Sequence, residues 1–147
     1  MDLKIPKGTK DIFGEDAEKK ILIECIVTEI MRSYNFKPSF TPVFEFTELF
    51  VRGIGKSTDI VKKEMYTFQD RGGRQLTLRP EGTAPIARLY IMNNLDKLSK
   101  PVKLYYFLPM YRYERPQAGR SREFWQIGAE IIGSDSYLTD VEAIVLM

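Results

Sequence analysis

The segment that most constrains the fold is an alternating stretch, residues 102–131, interrupted by Pro-Gln-Ala-Gly at residues 116–119. Side chains two apart lie on the same face of a strand, and both halves of the stretch alternate with this period. The four interrupting residues are typical of a turn. The stretch therefore predicts a β-hairpin, and four arginines surround its bend: Arg112, Arg115, Arg120 and Arg122.

The second half of this hairpin has one apolar face and one polar face. Trp125 and Ile127 begin the apolar face, whereas Gln126 and Glu130 lie on the opposite one. We expect a sheet that is packed on the apolar side and open to a polar cleft on the other. An unpaired buried carboxylate is costly, so Glu130 must meet either a ligand ammonium or imidazole, or an arginine of the same domain.

The arginines around the bend suit a polyphosphate. Arg112 shares the face of the alternating residues that begin at Val102, which directs it toward the cleft, and a guanidinium can bind two phosphate oxygens at once. From the residues alone, an ion pair of Arg112 with Glu114 or Glu123 is an equal alternative. Arg120 and Arg122, on the turn itself, either close over a polyphosphate, contact a nucleic-acid backbone, or form an exposed basic loop without a ligand.

A second candidate site is Leu-Arg-Pro-Glu-Gly-Thr at residues 78–83. A predicted strand ends at Pro80, and Glu81 and Thr83 stand before a predicted helix, where ligand-binding groups are frequent. A helix cap by Thr83, with Glu81 in the first turn, explains the same residues without a ligand.

The remaining patterns predict an α+β fold. Residues 15–34 have helical spacing, residues 36–45 are extended, and residues 65–69 and 75–79 read as a second hairpin. Further helices are predicted at 47–51, begun by a Thr47 cap, at 83–93, and from Thr139 onward. The last helix has no stop signal before Met147, which suggests the leading portion of a larger domain.

Charge and cysteine content restrict the class of protein. The net charge of +2, from 22 basic and 20 acidic residues, gives no general footprint for polyanions. Cys25 has no disulfide partner, and one cysteine with no histidine argues against a metal centre. Without a long apolar run or a signal peptide, we expect a soluble, cytoplasmic protein with no membrane contact.

Taken in order, these segments resemble the class II aminoacyl-tRNA synthetases, and specifically the histidyl-tRNA synthetase family. Residues 15–45 are similar to the first motif of the class, which builds the dimer interface, and residues 111–126 to the second. Residues 77–84 and 114–117 resemble signatures of the histidine enzyme. The resemblance implies that residues 1–147 are the N-terminal portion of an incomplete catalytic domain, a class II synthetase-like antiparallel β-sheet flanked by helices, without the third motif and the anticodon-binding domain.

The resemblance implies a reaction and its ligands. The reaction is ATP-dependent activation of histidine, with Mg²⁺, and transfer of the histidyl group to tRNA(His) by a homodimer. Arg112 would be the catalytic residue and contact the α-phosphate of ATP. Glu114 would contact the adenine side or a metal-linked part of the nucleotide, and Arg120 the distal phosphates.

The resemblance also implies how the amino acid is held. Glu81, Thr83 and Gln126 would bind the α-ammonium of histidine, and Glu130 would face its imidazole. None of these residues would form a metal site. The chain departs from the family pattern at Ser121 and Trp125, where tyrosine and histidine are more usual, and we expect these changes to affect packing and loop mobility.

Two other functions stay open. One is the histidine-sensing regulatory paralogue of ATP phosphoribosyltransferase, which has the same fold without aminoacylating tRNA. The residues around Glu81 and Glu114 favour the synthetase, because a sensor needs no group that faces ATP. The other is a truncated dimerisation fragment without catalysis. Because the third motif is missing, we expect the chain alone to be inactive or very weak.

Overall fold

A computed structural model describes residues 2–55, 58–115 and 120–146 of the chain. Four α-helices and six β-strands are found in these residues. In chain order they are α1 Glu15–Ser33, β1 Lys37–Pro38, β2 Phe44–Phe46, α2 Thr47–Ile54, β3 Thr67–Gln69, β4 Gln75–Leu78, α3 Thr83–Met92, β5 Val102–Tyr111, β6 Glu123–Ile132 and α4 Tyr137–Leu146. A π-helix, Ile60–Glu64, precedes β3, and a short 3₁₀ helix, Leu95–Lys97, follows α3.

The predicted arginine-bearing hairpin is confirmed and forms two of the three strands of the larger sheet. β5 and β6 pair antiparallel along their whole length, from Val102 opposite Ile132 to Tyr111 opposite Glu123. β1 adds to the other edge of β5 in parallel, so the strand order is β1-β5-β6. The predicted turn at residues 116–119 lies outside the described residues.

The second predicted hairpin is confirmed as part of a smaller sheet with the order β2-β4-β3. Its turn is held by Asp70, whose Oδ1 accepts hydrogen bonds from the backbone N–H groups of Gly72 at 2.8 Å and Arg74 at 2.9 Å. The helix after β2 begins at Thr47 as predicted, but the predicted Thr47 cap is wrong. The Thr47 hydroxyl instead lies 2.9 Å from that of Thr77, on the facing strand β4.

The predicted division of the larger sheet into one packed and one open face is wrong. Gln126 lies opposite Leu108 and Glu130 opposite Leu104, and both leucines belong to a buried cluster with Tyr106 and Met110 beneath α3. The polar side chains of β6 therefore occupy the main core face, at its edge. On the other face, Tyr105 is buried against Met31 and Phe36, whereas Trp125 is 39% exposed.

Arg79 joins the two sheets from the end of β4. Its side chain is fully buried, at 1% exposure, and donates hydrogen bonds to three backbone carbonyls: Pro109 at 2.8 Å, Thr41 at 2.6 Å and Pro42 at 3.1 Å. Burial lowers the pKa of this guanidinium from its usual value. Arg79 thereby fixes the extended segment after β1 against the end of β5, where the candidate site begins.

The last helix begins at Tyr137, two residues before the predicted start. Its first turn is closed by Ser136, whose carbonyl accepts a hydrogen bond from the N–H of Thr139 at 3.0 Å. Lys103 of β5 donates to Glu142 Oε2 at 2.7 Å and holds α4 on the sheet. In the part of the chain that the structure describes, no helix has the length and apolar character needed to cross a membrane.

Candidate functional site

A cleft of about 590 Å³ opens beside β6 and reaches toward the start of α3. Its polar lining comes from the two segments that the sequence singled out, Thr83 at the helix and Gln126 and Glu130 on the strand. These positions meet because β6 runs past the N-terminus of α3 on the core face of the sheet. The structure thus brings together side chains that are more than 40 residues apart.

Tyr106 forms the floor of this cleft and was not predicted as a site residue. Its ring packs directly on Gly82 and Gly128, where a Cβ at either glycine would overlap the ring. Burial, with a further contribution from the charge of Glu130, raises the pKa of the Tyr106 hydroxyl to about 12. The available signal in the sequence was Gly128 itself, because glycine inside a strand often marks the close approach of another group.

Glu130 is a desolvated carboxylate in this cleft. The Thr83 hydroxyl donates a hydrogen bond to Glu130 Oε1 at 2.8 Å. Burial raises the pKa of Glu130; the hydrogen bond from Thr83 opposes this effect, and the nearby charge of Glu81 adds to it. Among the described residues no arginine pairs with Glu130, so the alternative partner considered from the sequence is not found there.

Gln126 has an acceptor without a donor. Its Oε1 is fully buried, and no hydrogen-bond donor reaches it among residues 2–55, 58–115 and 120–146. A buried polar atom without a partner costs free energy, on the order of 1–3 kcal/mol. A ligand that carries an N–H or ammonium group would remove this cost.

Glu81 caps α3. Its two carboxylate oxygens accept hydrogen bonds from the N–H groups of Thr83 at 2.7 Å and Ala84 at 3.0 Å. The helix cap considered from the sequence is therefore made by Glu81 and not by Thr83. Each carboxylate oxygen retains a second lone pair, so Glu81 can still accept a hydrogen bond from a ligand.

Arg112 lies where the hairpin meets the loop before α3. Its Nε donates to the Pro80 carbonyl at 2.8 Å, and its guanidinium lies over the Phe124 ring at 5.1 Å. The Nη1 atom is 4.0 Å from Glu114 Oε1, which is the ion pair considered as an alternative, at the limit of contact. Since Pro80 precedes Glu81, this hydrogen bond ties Arg112 to the segment that leads into α3 beside the cleft.

Glu114 and Arg120 lie beside Arg112. Arg120 Nε is 3.7 Å from Glu114 Oε2, and its side chain is 62% exposed. The structure therefore groups the three residues that were predicted to contact nucleotide, and leaves Arg120 with most of its donors in solvent. A cationic region next to a carboxylate-lined cleft can hold a phosphate beside an ammonium group.

The described residues contain no cluster of three or more side chains that could ligate a metal ion by themselves. A Mg²⁺ ion that arrives with a nucleotide needs only one or two protein carboxylates, because phosphates and water complete its octahedron. Glu114 is a carboxylate in the right region for this, and it lies between two arginines that also attract phosphate.

Comparison with known proteins places these residues in a family. The model of a family described as histidyl-tRNA synthetase matches residues 8–147. Histidine–tRNA ligases of Anoxybacillus flavithermus and Listeria monocytogenes are 56% and 54% identical in alignments that cover 99% of this chain. The chain spans only 35% of the length of these relatives.

Solved structures agree with the sequence matches. Apo histidyl-tRNA synthetase of S. aureus matches with a TM-score of 0.83 and 42% identity, over 99% of this chain and 33% of that one. A Bacillus halodurans protein described as an ATP phosphoribosyltransferase regulatory subunit/histidyl-tRNA synthetase matches with a TM-score of 0.84 and 31% identity. That match covers all of this chain and 37% of the other. The predicted fold class is confirmed by these likenesses.

Proposed function

The chain belongs to the histidyl-tRNA synthetase family, and from this we propose that it forms the histidine pocket and part of the ATP site of a histidine–tRNA ligase. The complete reaction is the ATP-dependent activation of histidine and its transfer to tRNA(His). We assign the chain to the N-terminal portion of the catalytic domain, working in a cytoplasmic homodimer. The rest of the active site would come from parts of the ligase that this chain does not span.

The cleft beside β6 is assigned to histidine. Gln126, Glu81 and Thr83 offer oxygen acceptors to the α-ammonium group, and Glu130 accepts a hydrogen bond from the imidazole. The observation that carries this assignment is the presence in one cleft of an acceptor without a donor, the buried Gln126 Oε1, and of a desolvated carboxylate, Glu130, with no cation beside it among the described residues. Histidine supplies an ammonium group for the amide oxygen of Gln126 and an imidazole N–H for the carboxylate of Glu130.

The cationic region is assigned to ATP. Arg112 contacts the α-phosphate, Arg120 lies along the distal phosphates, and Glu114 contacts the adenine side or a Mg²⁺ ion bound to the phosphates. Arg112 is held by Pro80, one residue from Glu81, so the α-phosphate is presented to the amino acid in the cleft. When bound, Mg²⁺ would neutralise charge on the phosphates.

The chemical step needs position more than covalent help. The histidine carboxylate attacks the α-phosphorus, the bond to the bridging oxygen breaks, and pyrophosphate leaves. Arg112 stabilises the negative charge that develops on the α-phosphate oxygens, and Glu81, Thr83 and Gln126 keep the attacking carboxylate aligned through the ammonium group. A ribose hydroxyl at the end of the tRNA then attacks the carbonyl carbon of the activated histidine, the bond from that carbon to the phosphate oxygen breaks, and AMP leaves.

Binding of histidine and of ATP, measured separately by calorimetry or NMR titration, tests both assignments. We expect Glu130→Gln to weaken the binding of histidine and to leave the binding of ATP unchanged. We expect Arg112→Met to weaken the binding of ATP by about tenfold or more and to leave that of histidine unchanged, because a charge-assisted contact contributes roughly 1.5–3 kcal/mol. Arg71→Met, which removes an exposed arginine on the β3–β4 turn, is the matched control. Equal effects of both variants on both ligands would contradict the two-site assignment.

A histidine-sensing function is the second candidate, and the Bacillus halodurans likeness favours it. A sensor binds histidine but has no use for the arginines of the hairpin. Histidine binding without any ATP binding would support the sensor, and binding of neither ligand would support an inert dimerisation fragment.

Pyrophosphate exchange tests whether the isolated chain holds a complete site for the activation of histidine. We expect the isolated chain to show very low or no histidine-dependent exchange. Robust turnover would contradict the proposal that the site needs further residues.

A further inference from the structure

A second arginine-centred cluster lies beside the proposed ATP site and has no role in it so far. We call it the Arg122 cluster; it consists of Gly8, Tyr66, Tyr113 and Arg122. The four residues come from the N-terminal segment, the chain before β3 and the two sides of the hairpin bend. Their contacts decide whether Arg122 is free to meet a phosphate, as Arg120 is.

The N-terminal part of the cluster is a tight turn. The N–H of Thr9 donates to the Pro6 carbonyl at 3.1 Å, and Gly8 has a φ of 86°. A Cβ at Gly8 would also lie 2.7 Å from Arg122 Cγ, so both the turn and the packing require glycine. The turn presents the Gly8 carbonyl to the N–H of Arg122, at 2.7 Å.

The side chain of Arg122 is engaged on the protein. Its guanidinium carbon lies 4.0 Å from the centre of the Tyr113 ring, and its Nε donates to the Glu114 carbonyl at 3.3 Å. Tyr113 in turn packs edge-on against Tyr66, with ring centres 5.4 Å apart. A planar guanidinium is suited to this combined stacking and hydrogen bonding, which a lysine would not reproduce.

The cluster bears directly on the two residues assigned to nucleotide. The N–H of Arg112 donates to the Arg122 carbonyl at 2.9 Å, and Glu114 is held through its carbonyl by the Arg122 side chain. The N–H of Glu114 donates to the Arg112 carbonyl at 2.8 Å. The backbone of Arg122 is therefore bonded to Arg112, and its side chain to Glu114, without any ligand.

We propose that Arg122 is a positioning residue, which holds Arg112 and Glu114 in place for the nucleotide through its contacts with the Gly8 turn and Tyr113 and does not itself bind phosphate. The proposal rests on the proposed function for the assignment of Arg112. It adds residues 6–9 to the elements that shape the nucleotide site, although they are more than 100 residues from Arg112 in the chain.

The first test compares Arg122→Met with Arg71→Met in the 147-residue chain. Two quantities are measured: ATP affinity by NMR titration, and solvent exchange of the Arg112 Nε–H, which reports its bond to Pro80 without any nucleotide. We expect Arg122→Met to weaken ATP binding and to accelerate this exchange, each by about tenfold, while Arg71→Met changes neither. Weaker ATP binding with unchanged Arg112 exchange would make Arg122 a direct phosphate ligand and overturn the proposal.

The second test uses Tyr113, which is 53% exposed and can be changed without disturbing the core. Tyr113→Phe keeps the ring and should behave as the unmodified chain. Tyr113→Leu removes it and should reproduce the effects of Arg122→Met on Arg112 exchange. Identical behaviour of the two Tyr113 variants would overturn the proposal, and this comparison still decides if Arg122→Met does not fold.

The readouts separate this inference from the proposed function. If the unmodified chain binds no ATP, the nucleotide assignment fails. The exchange of the Arg112 Nε–H in the Tyr113 pair would still show whether the Arg122 cluster positions Arg112.

Discussion

Glu130 is the residue at which stability and the proposed binding role oppose each other. Its carboxylate is desolvated and receives a hydrogen bond from Thr83, but no cation reaches it among the described residues. Residues that bind a charged ligand often carry such a cost in the free protein. Histidine would relieve it by placing an N–H group against the carboxylate.

We predict that Glu130→Gln stabilises the free chain near neutral pH. The pKa of Glu130 is raised in the folded state, so the folded state binds more protons than the unfolded state at pH values above the usual 4.5 of the carboxyl. Stability therefore falls as pH rises from that value through the folded-state pKa. Glutamine removes this dependence.

Urea unfolding of the two proteins across pH 3–8 measures the effect. The advantage of Glu130→Gln should be smallest below the usual pKa of the carboxyl, grow as pH rises, and level off once Glu130 is ionised in the folded state. The prediction would be contradicted if the unfolding free energies of the two proteins changed in parallel with pH, or if the glutamine variant were the less stable one at neutral pH.

At the residue scale, the sequence indicated most of the candidate site. The two-residue period put Gln126 and Glu130 on one face of β6, and the strand-to-helix junction pointed to Glu81 and Thr83. Tyr106 was missed because nothing in its own neighbourhood distinguishes it from the buried residues of β5. Its role depends on the close approach to Gly82 and Gly128, which comes from the packing of three separate segments.

At the element scale, Arg79 connects the strand end that carries the site to its supports. A buried cation bound only by carbonyls could not be read from the sequence, where Arg79 stood simply as the last residue of a strand. The carbonyls come from the segment after β1 and from β5, and their direction depends on the tertiary arrangement.

We predict that Arg79→Met destabilises the chain by about 3 kcal/mol or more, because each buried carbonyl that loses its donor costs on the order of 1–3 kcal/mol. Arg79→Lys should destabilise the chain less than Arg79→Met does, because one ammonium group reaches some but not all of the three carbonyls. Urea unfolding with far-UV circular dichroism gives the values. A change within 1 kcal/mol for Arg79→Met would show that the hydrogen bonds of Arg79 matter little.

The element boundaries show what local patterns could and could not settle. α1, the two hairpins and α3 were predicted from periodicity and turn residues, and all four are present. The prediction of a wholly open face on the larger sheet was wrong because α3 packs on most of that face and confines the cleft to the edge beside β6. Helix-to-sheet contacts leave no local signature in β6. The Thr47 cap failed for the same reason, since Thr77 on a distant strand competes for its hydroxyl.

At the scale of the whole molecule, α1 leaves an apolar face uncovered. Leu22, Ile26 and Ile30, spaced four residues apart on one face of the helix, are 59%, 48% and 44% exposed. Clusters of exposed apolar side chains of this kind often mark protein interfaces. This supports the proposed homodimer through the first motif.

We predict that the chain self-associates through α1 and that Ile26→Asp shifts it toward monomer, because the charge would have to be desolvated in the interface. Leu98→Asp, at a similarly exposed leucine outside α1, is the control and should leave the mass unchanged. Light scattering over a range of concentrations measures the mass. A monomer at every concentration, before any substitution, would contradict the prediction.

We propose that the cleft lined by Gln126 and Glu130, together with Arg112, forms one site for histidine joined to the α-phosphate of an adenylate. The direct measurement is the affinity of the chain for a stable sulfamoyl analogue of histidyl-adenylate, beside the phenylalanyl analogue. We predict that the histidyl analogue binds at least about tenfold more tightly, because the ring nitrogens satisfy polar groups that phenylalanine leaves unpaired, and that both Glu130→Gln and Arg112→Met weaken it. Equal affinity for the two analogues, or no binding of either, would contradict the claim.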